Sequence, residues 1–343
     1  MRNFISEDDI EQAILSKLKA EPFEYDILIC NADPSKRDDL NDGTGRNSKK
    51  ECVLPDVMLF SLKRINPTIE EDRIKEIVKT LRQDYTGTDI VDTNYKLYRQ
   101  IRNNIKITVR RNGKENFDFV KLIDFEHPKH NTFTAVSQMW IQGKVYYRRP
   151  DILIFVNGMP LVFIELKNSI VKVEEAYNKN LKDYMRDIPN LFAFNQICVL
   201  SNGLETKLGA FNATYDYFFE WLKVDSEKEK LDREAILAAD NVKDSSVRYF
   251  IDGLLSKDRL IDYIENFILF ENQRIKIIAK NHQYLGVNNL MKSVKNRKEL
   301  NGKLGVFWHT QGSGKSYSMV MFARKVKRKN AGNFSFLDRK SVV

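Results

Sequence analysis

The sequence has few of the residues that build disulfide-rich or zinc-ribbon folds. Its 343 residues include 3 cysteines, 4 histidines and 8 prolines, and the cysteines stand at the unrelated positions 30, 52 and 198. An odd number of isolated cysteines indicates neither a disulfide framework nor a C-x-x-C zinc site. A reducing compartment, the cytoplasm, is therefore expected.

Long apolar runs are also lacking. The sequence contains no stretch of about 18 apolar residues, the length that a membrane-spanning helix needs. The opening Met-Arg-Asn-Phe-Ile-Ser-Glu-Asp-Asp has no apolar core of the kind found in signal peptides. We therefore expect a soluble protein without a membrane partner.

Positive charge is in excess. The chain carries 56 Lys and Arg against 47 Asp and Glu, a formal net charge of +9. Such a balance favours an anionic partner such as nucleic acid, and a merely basic soluble protein is the alternative. The length suffices for two domains, each with its own core.

Two carboxylates and a lysine stand in one segment that has the pattern of a β-hairpin. The run Arg-Arg-Pro-Asp-Ile-Leu-Ile-Phe-Val-Asn-Gly-Met-Pro-Leu-Val-Phe-Ile-Glu-Leu-Lys occupies positions 148–167. Because Asn157-Gly158 supplies a two-residue turn between apolar runs, Asp151 is expected opposite Glu165 to within about one residue. Carboxylate oxygens suit Mg²⁺, and the ammonium of Lys167 can stabilise charge that develops on a phosphate. The segment predicts a phosphodiester-hydrolysing centre; a solvated Glu-x-Lys face is the alternative.

The same run resembles the PD-(D/E)xK nucleases and, more narrowly, the restriction (R) subunit of type I restriction-modification enzymes. The runs Leu-Ile-Asp-Phe-Glu-His-Pro-Lys-His-Asn-Thr-Phe (122–133) and Asn-Gln-Ile-Cys-Val-Leu-Ser-Asn-Gly (195–203) are similar to that family too. The resemblance implies an α/β chain: a restriction-endonuclease-like core, with a mixed sheet flanked by helices, over residues 1–235. A helical connector over 236–275 and the start of a RecA-like lobe over 276–343 would follow.

The resemblance also implies roles for single residues. Asp151, Glu165 and Lys167 match the catalytic residues, and the two carboxylates match the ligands of Mg²⁺. Asn180 and Tyr184 match a Gln-x-x-x-Tyr motif near the cut site, with asparagine in place of glutamine. An ordinary polar helix position is the alternative for Asn180.

An acidic residue on the first helix belongs to the same implied site. Ser6 is expected to cap a helix with an acidic first turn, and Glu7 is the best match to the family's acidic metal ligand. The alternative is that Glu7 is there only because helix starts favour carboxylates electrostatically.

A glycine-rich turn near the other end predicts a phosphate-binding loop. Residues 304–308 are expected to form a short buried strand, and a helix is expected from Lys315 to about residue 327. In this context backbone N–H groups would cradle a phosphate and Lys315 would reach the β- and γ-phosphates, while Ser316 would hold Mg²⁺. His309 stands where the usual motif begins with glycine, and a flexible Gly-Ser loop is the alternative.

That turn resembles motif I of the superfamily 2 motor in the same R subunits. The resemblance implies ATP as a cofactor, bound by Gly312, Ser313, Gly314, Lys315 and Ser316. Gln283 resembles the family's adenine-sensing glutamine, with a surface glutamine on a helix as the alternative.

The resemblance implies an ATP-dependent endonuclease. An intact relative would cut double-stranded DNA after ATP-driven translocation, in a complex with modification (methyltransferase) and specificity subunits, and S-adenosylmethionine would enter only through that complex. No Walker B acidic pair precedes Val343, so the motor is expected to be incomplete in this chain. The alternative is a non-catalytic, truncated remnant that binds DNA or partner subunits.

Three further expectations concern local structure. Residues 31–51 are mostly polar and predict a long solvated excursion. Strands are expected within 105–110, 117–125, 132–140 and 144–147. A helical pattern is expected over 263–278.

Overall fold

A computed structural model describes residues 4–111, 114–308, 310–330 and 332; the predicted position of His309 lies outside them. The strands are β1 (Asp26–Ile29), β2 (Ile105–Arg111), β3 (Lys114–Val120), β4 (Phe133–Ser137), β5 (Ile141–Gln142), β6 (Tyr147–Arg148), β7 (Ile152–Val156), β8 (Met159–Leu166), β9 (Ile197–Ser201), β10 (Thr206–Gly209), β11 (Phe219–Glu220), β12 (Ile268–Glu271) and β13 (Ile275–Ile278).

Helices flank these strands. They are α1 (Glu7–Lys19), α2 (Pro55–Ile65), α3 (Glu71–Leu81), α4 (Ile90–Asn103), α5 (Val173–Glu175), α6 (Lys182–Asp187), α7 (Arg233–Leu237), α8 (Ser246–Leu254), α9 (Lys257–Asn266), α10 (Asn281–Lys295) and α11 (Lys315–Lys329). A π-helical segment, Ala176–Leu181, joins α5 to α6. Within the described part of the chain, no helix combines the length and the apolar character needed to span a membrane.

Seven strands form one mixed sheet, in the order β1-β4-β7-β8-β9-β10-β11. The pairs β1–β4 and β8–β9 are parallel, and the pairs β4–β7 and β7–β8 are antiparallel. All residues of β7 and β8 are buried. The expected α/β class, a mixed sheet with helices, is confirmed at this level.

The central strands are apolar on both faces because a separate core covers each face. Ile152 and Ile154 of β7 belong to a core that includes Ile14 of α1. Leu153 and Phe155 belong to a second core on the other side of the sheet. Since successive strand side chains point to opposite faces, burial on both faces requires the unbroken apolar run seen in the sequence.

The first helix begins as its sequence predicts. The Ser6 hydroxyl accepts a hydrogen bond from the Asp9 N–H at 3.1 Å, and the Asp9 carboxylate accepts one from the Ser6 N–H at 3.1 Å. This reciprocal capping box satisfies two donors that the start of a helix leaves free. It fixes the residue at which α1 starts and thereby helps to set which of its side chains face the sheet.

The helical expectation for residues 263–278 is wrong after residue 266. Helix α9 ends at Asn266, and β12 and β13 then form an antiparallel hairpin. Its turn residues Asn272 and Gln273 adopt φ angles of 49° and 61°. Such positive angles suit a tight hairpin turn and are incompatible with a continuous helix.

The strand expected over residues 304–308 is also wrong. This segment pairs with no strand in the described part of the chain, and Val306 and Trp308 are 91% and 77% exposed. A strand needs a neighbour to satisfy its backbone groups. An apolar run alone was therefore not enough to predict a strand here.

The expectation of a fully solvated excursion over residues 31–51 fails at one cluster. Arg46 and Lys49 bind Asp42 Oδ2 at 2.8 and 2.6 Å, and all three side chains are at most 7% exposed. Opposite charges that pair closely can be buried together. The polar composition of the segment thus reflects an internal ion cluster as well as solvent-exposed chain.

The helices α7, α8 and α9 lie between residues 233 and 266, and β12 and the first residue of β13 occupy the end of the range 236–275 expected for a helical connector. The boundaries of the three expected domains stay predictions. Of the strands expected between residues 105 and 147, the one within 105–110 is confirmed in β2, the one within 117–125 pairs with it only as far as Val120, and the one within 144–147 is a strand only at Tyr147. The run 132–140 is a strand only at β4.

Candidate functional site

The hairpin that carries the predicted centre forms as expected. Asn157 and Gly158 occupy its turn with φ angles of 49° and 77°. Ile152 of β7 pairs with Ile164 of β8, so that the preceding Asp151 lies opposite the following Glu165. The two carboxylates stand together at the end of the hairpin away from its turn.

Close packing holds the turn in place. A Cβ atom on Gly158 would lie 2.5 Å from the Leu54 carbonyl oxygen. The buried Asn157 amide donates to the Leu122 carbonyl at 2.9 Å and to Asn131 Oδ1 at 2.8 Å. The hairpin is therefore anchored to α2 and to the loop before β4, which limits its freedom to move at the other end.

Glu165 is the most deeply buried acid of the centre, with 2% of its surface exposed. Its Oε1 accepts hydrogen bonds from Lys167 Nζ at 3.3 Å and from the Asn180 side-chain amide. Its Oε2 is buried and has no hydrogen-bond partner among the described residues. Burial, followed by the nearby Asp151 carboxylate, raises the pKa of Glu165 well above its usual value.

Asp151 is held by the backbone of the opposite strand. Its Oδ2 accepts a hydrogen bond from the Leu166 N–H at 2.7 Å. Burial raises the pKa of Asp151 to about 6, although that hydrogen bond and Lys167 act in the opposite direction. Because burial is the main cause of both shifts, ionising the two neighbouring acids is costly unless a cation compensates their charge.

Lys167 is the cation of the centre. Its ammonium donates to the Leu166 carbonyl at 2.7 Å and to Glu165 Oε1 at 3.3 Å, and its side chain is 16% exposed. Lys167 and Glu165 lie two residues apart at the end of β8, where side chains of that spacing share a face. The ammonium is thus fixed at the edge of the site, open on one side to solvent.

Asn180 and Tyr184 lie behind the hairpin, as the resemblance implies. Asn180 is on the π-helical segment and reaches Glu165 Oε1 directly. The Tyr184 hydroxyl donates to the Arg149 carbonyl at 3.1 Å, and its ring meets Phe163 edge-on. Burial and then the charge of Glu165 raise the pKa of Tyr184. The shorter asparagine therefore contacts the centre without the extra methylene of glutamine.

The first helix brings a further acid, Glu11, to the centre beside Asp151 and Glu165, and sequence reasoning missed it. Glu7 is exposed at the start of α1, whereas Glu11, one turn later, is 6% exposed. Negative charge on Glu11, and to a smaller extent on Glu7, contributes to the raised pKa of Asp151. A signal was available: Glu11 interrupts the apolar stripe of α1, where a charge is costly unless it has a partner.

The last residue of β4 and the residue after it hold Glu11 in position. The Ser137 hydroxyl and the Gln138 side-chain amide both donate to its carboxylate, the latter at 2.6 Å. The Gln138 N–H donates to the Asp151 carbonyl at 2.9 Å. Gln138 Oε1 is buried and, within the described ranges, accepts no hydrogen bond.

These oxygens fit a divalent cation chemically. Mg²⁺ prefers hard oxygen ligands, usually carboxylates together with waters. The unsatisfied Glu165 Oε2 and the burial that raises the pKa values of Asp151 and Glu165 both favour binding of a cation at this site. Asp151 and Glu165 are the residues best placed to hold such an ion, with Glu11 and Glu7 next to them.

The predicted phosphate loop lies at the start of α11. Gly312 and Gly314 adopt φ angles of 79° and 83°, and Lys315 and Ser316 are the first two residues of the helix. Free backbone N–H groups at a helix start attract anions. The local geometry agrees with a phosphate-binding turn, with Ser313 between the two glycines.

Gln283 and His282 at the start of α10 contact this loop. Gln283 Nε2 donates to the Gly314 carbonyl at 2.9 Å, and His282 Nε2 lies 3.1 Å from the Ser313 carbonyl oxygen. A Cβ atom on Gly314 would lie 2.6 Å from Gln283 Nε2. Gln283, the loop and Tyr217 line one cavity of about 490 Å³.

Two models of known protein families match the parts of the chain that contain the hairpin and the glycine-rich turn. A family model described as type I restriction enzyme R protein N terminus matches residues 4–217. A second, described as SWI2/SNF2 ATPase, matches residues 282–341.

Curated relatives that match most of this chain agree with the family models. The chain is 33% identical over 333 residues to the type I restriction enzyme HindI endonuclease subunit of Haemophilus influenzae, covering 94% of this chain and 30% of that protein. It is 32% identical over 317 residues to the putative type I restriction enzyme MjaIXP endonuclease subunit of Methanocaldococcus jannaschii, covering 85% and 29%. The chain thus spans less than a third of the length of these relatives.

Proposed function

The chain belongs to the type I restriction enzyme R protein family, and from that premise we propose that its N-terminal part is a Mg²⁺-dependent DNA endonuclease with a PD-(D/E)xK fold. One observation carries the proposal. Asp151, Glu165 and Lys167 converge at the end of one hairpin, with Glu165 Oε2 buried and, in the described chain, without a hydrogen-bond partner.

The residues of the centre divide the work. Bound Mg²⁺ would lower the pKa of a water and neutralise charge on the phosphate. Asn180 and Lys167 occupy Glu165 Oε1 and so leave Oε2 free to face the ion. The Leu166 N–H donates to Asp151 Oδ2 and so fixes the orientation of that carboxylate. Lys167, open to solvent on one side, would stabilise negative charge on the phosphate as water attacks.

A plasmid-nicking assay tests the nuclease proposal. With Mg²⁺, and with the partner subunits present, the parent protein should nick supercoiled DNA. Asp151→Asn, Glu165→Gln and Lys167→Ala should each slow nicking at least about 100-fold. Asp8→Asn changes an exposed carboxylate in the first turn of α1 and should leave nicking unchanged.

Two results would contradict the proposal. Equal nicking by the parent and all three variants would assign the cleavage to other residues. Salt-sensitive DNA binding with no cleavage by the parent in any divalent ion would instead favour the binding remnant.

We further propose that the loop from Gly312 to Ser316 binds the phosphates of ATP, as in RecA-like motors. The lysine of such a loop contacts the β- and γ-phosphates and the following serine holds Mg²⁺. The contact of the Gln283 amide with the Gly314 carbonyl supports a role for Gln283 in sensing the nucleotide. Lys315→Ala should abolish binding of a fluorescent ATP analogue, whereas Lys327→Ala, at the far end of α11, should not.

The assembly is proposed from the names of the relatives, which are endonuclease subunits. The chain would work in the cytoplasm on double-stranded DNA, with modification and specificity subunits that choose the site. S-adenosylmethionine would bind only to those partners. Movement along DNA driven by ATP would belong to the intact complex.

A further inference from the structure

One carboxylate and two imidazoles converge in the loop before β4, away from both sites described above. Asp124 Oδ2 lies 3.3 Å from His130 Nδ1 and 3.4 Å from His127 Nδ1. The three possible ligand atoms all lie within 4.8 Å of one another. The two rings stack with their centroids 4.9 Å apart.

The loop holds the carboxylate in place independently of the histidines. Asp124 is 4% exposed, and its Oδ1 accepts the N–H groups of Glu126 and His127 at 3.2 and 3.3 Å. The Asn131 side chain accepts from the Asp124 N–H and donates to the Asp124 carbonyl, both at 2.8 Å. Oδ2 is therefore aimed at the imidazoles by a rigid frame.

The spacing matches the coordination shell of zinc. In a tetrahedral site with bonds of about 2.0–2.2 Å to nitrogen and oxygen, neighbouring ligand atoms are about 3.3–3.5 Å apart. The two measured distances from Asp124 Oδ2 fall in that range. His127 and His130 side chains are 62% and 61% exposed, so their rings can rotate to bring the two nitrogens equally close.

A lysine pairs with the other oxygen of the carboxylate. Lys121 Nζ lies 3.6 Å from Asp124 Oδ1, and Glu126 Oε2 lies 3.8 Å from the same ammonium. Oδ2 is the oxygen that both histidines approach. A cation bound to Oδ2 would thus meet the lysine only across the carboxylate.

We propose that Asp124, His127 and His130 bind a divalent transition-metal ion, with Zn²⁺ the best match, and leave one coordination position open to solvent. Imidazole nitrogen suits zinc and its neighbours in the first transition row, whereas Mg²⁺ prefers all-oxygen sites. The chain would therefore carry two metal sites with different preferences. The zinc loop, residues 124–131, contacts the turn end of the hairpin, and the strand from that turn to Asp151 is about 17 Å long at 3.3 Å per residue.

The ion would fasten a loop that touches two distant elements. Asn131 Oδ1 accepts a hydrogen bond from Asn157 in the hairpin turn at 2.8 Å. Lys329, at the end of α11, donates to the Phe125 carbonyl at 3.5 Å. Zinc at the loop would stiffen the contact between the hairpin and the last helix.

Cobalt absorption tests the proposal directly. Protein without a histidine tag should bind Co²⁺ at one tetrahedral site per chain, recognised by its visible absorption, and Zn²⁺ should displace it from that site. His127→Ala and His130→Ala should each weaken Zn²⁺ binding at least about tenfold, since even the residues around metal ligands contribute that much. Both side chains are exposed, so the variants should keep the circular dichroism of the parent.

Two controls separate this site from the nuclease centre. Lys129→Ala, in the same loop, should keep the cobalt spectrum. The double variant Asp151→Asn/Glu165→Gln should keep it too, because the proposed ligands remain. Persistence of the spectrum in both histidine variants, or the absence of stoichiometric binding by the parent, would overturn the proposal.

Discussion

Replacing Asp151 with asparagine should stabilise the protein when no divalent ion is present. Burial raises the pKa of Asp151 from its ordinary 3.8 to about 6. The folded protein therefore binds this proton more tightly than the unfolded chain does, and ionisation above about pH 6 opposes folding. Asparagine removes the charge and still offers an oxygen to the Leu166 N–H.

The size of the effect follows from that shift. A difference of about two pKa units corresponds to about 3 kcal/mol of unfolding free energy at 1.36 kcal/mol per unit. The destabilisation is absent below about pH 4, where both states are protonated, and grows as the pH rises. It is fully present above about pH 6. Asp151→Asn should thus gain up to about 3 kcal/mol near pH 8 and almost nothing near pH 4.

Urea denaturation in EDTA at these two pH values measures the difference. Asp72→Asn, at a side chain that is 91% exposed, is the matched control and should change stability by less than about 0.5 kcal/mol. Added Mg²⁺ should stabilise the parent more than the variant, because an ion that binds only the folded state adds its binding free energy. A variant that is less stable than the parent near pH 8 in EDTA, or a difference that does not change with pH, would refute the reasoning.

Three further predictions test the turn, the phosphate loop and the chemistry. Gly158→Ala should lower the free energy of unfolding by about 2 kcal/mol or more in urea denaturation, since its φ is +77° and the new Cβ would lie 2.5 Å from the Leu54 carbonyl oxygen. The control Gly87→Ala, with no described atom within 4 Å of its Cβ, should be tolerated. Gly314→Ala should weaken binding of a fluorescent ATP analogue at least about tenfold, because its Cβ would collide with Gln283. The control Gly305→Ala is also at positive φ but has open space among the described atoms, so it should bind the analogue nearly as the parent does. Cleavage should fall as the pH drops through about 6, where Asp151 takes up its proton, and more Mg²⁺ should move that loss to lower pH because metal and protons compete; a pH profile that ignores the Mg²⁺ concentration would contradict this.

Interactions within a few residues explain what sequence reasoning predicted correctly. The capping box of α1 depends on Ser6 and Asp9, three residues apart. The hairpin of β7 and β8 depends on Asn157-Gly158, whose backbone angles suit that turn and few other conformations. Once the turn is set, the alternation of strand side chains decides that Asp151 and Glu165 meet.

Two expectations based on apolar spacing were wrong, one for lack of a distant strand partner and one because of a local turn. Residues 304–308 are apolar enough for a strand, yet no described strand pairs with them. The helical pattern after residue 266 gave way to a hairpin because the turn at Asn272 prevailed over apolar periodicity. Hydrophobic spacing alone does not distinguish these outcomes.

The sequence by itself determined the hairpin, its two carboxylates, its lysine and the glycine-rich turn before α11, because each depends on residues close together in the chain. Only the tertiary structure decided which other groups join them. It brought Glu11 from the first helix and Gln138 from the end of β4 to the same centre, and it buried Glu165 Oε2 without a hydrogen-bond partner among the described residues. The physical reason is that burial and charge compensation are properties of packed elements, which no single stretch of chain contains.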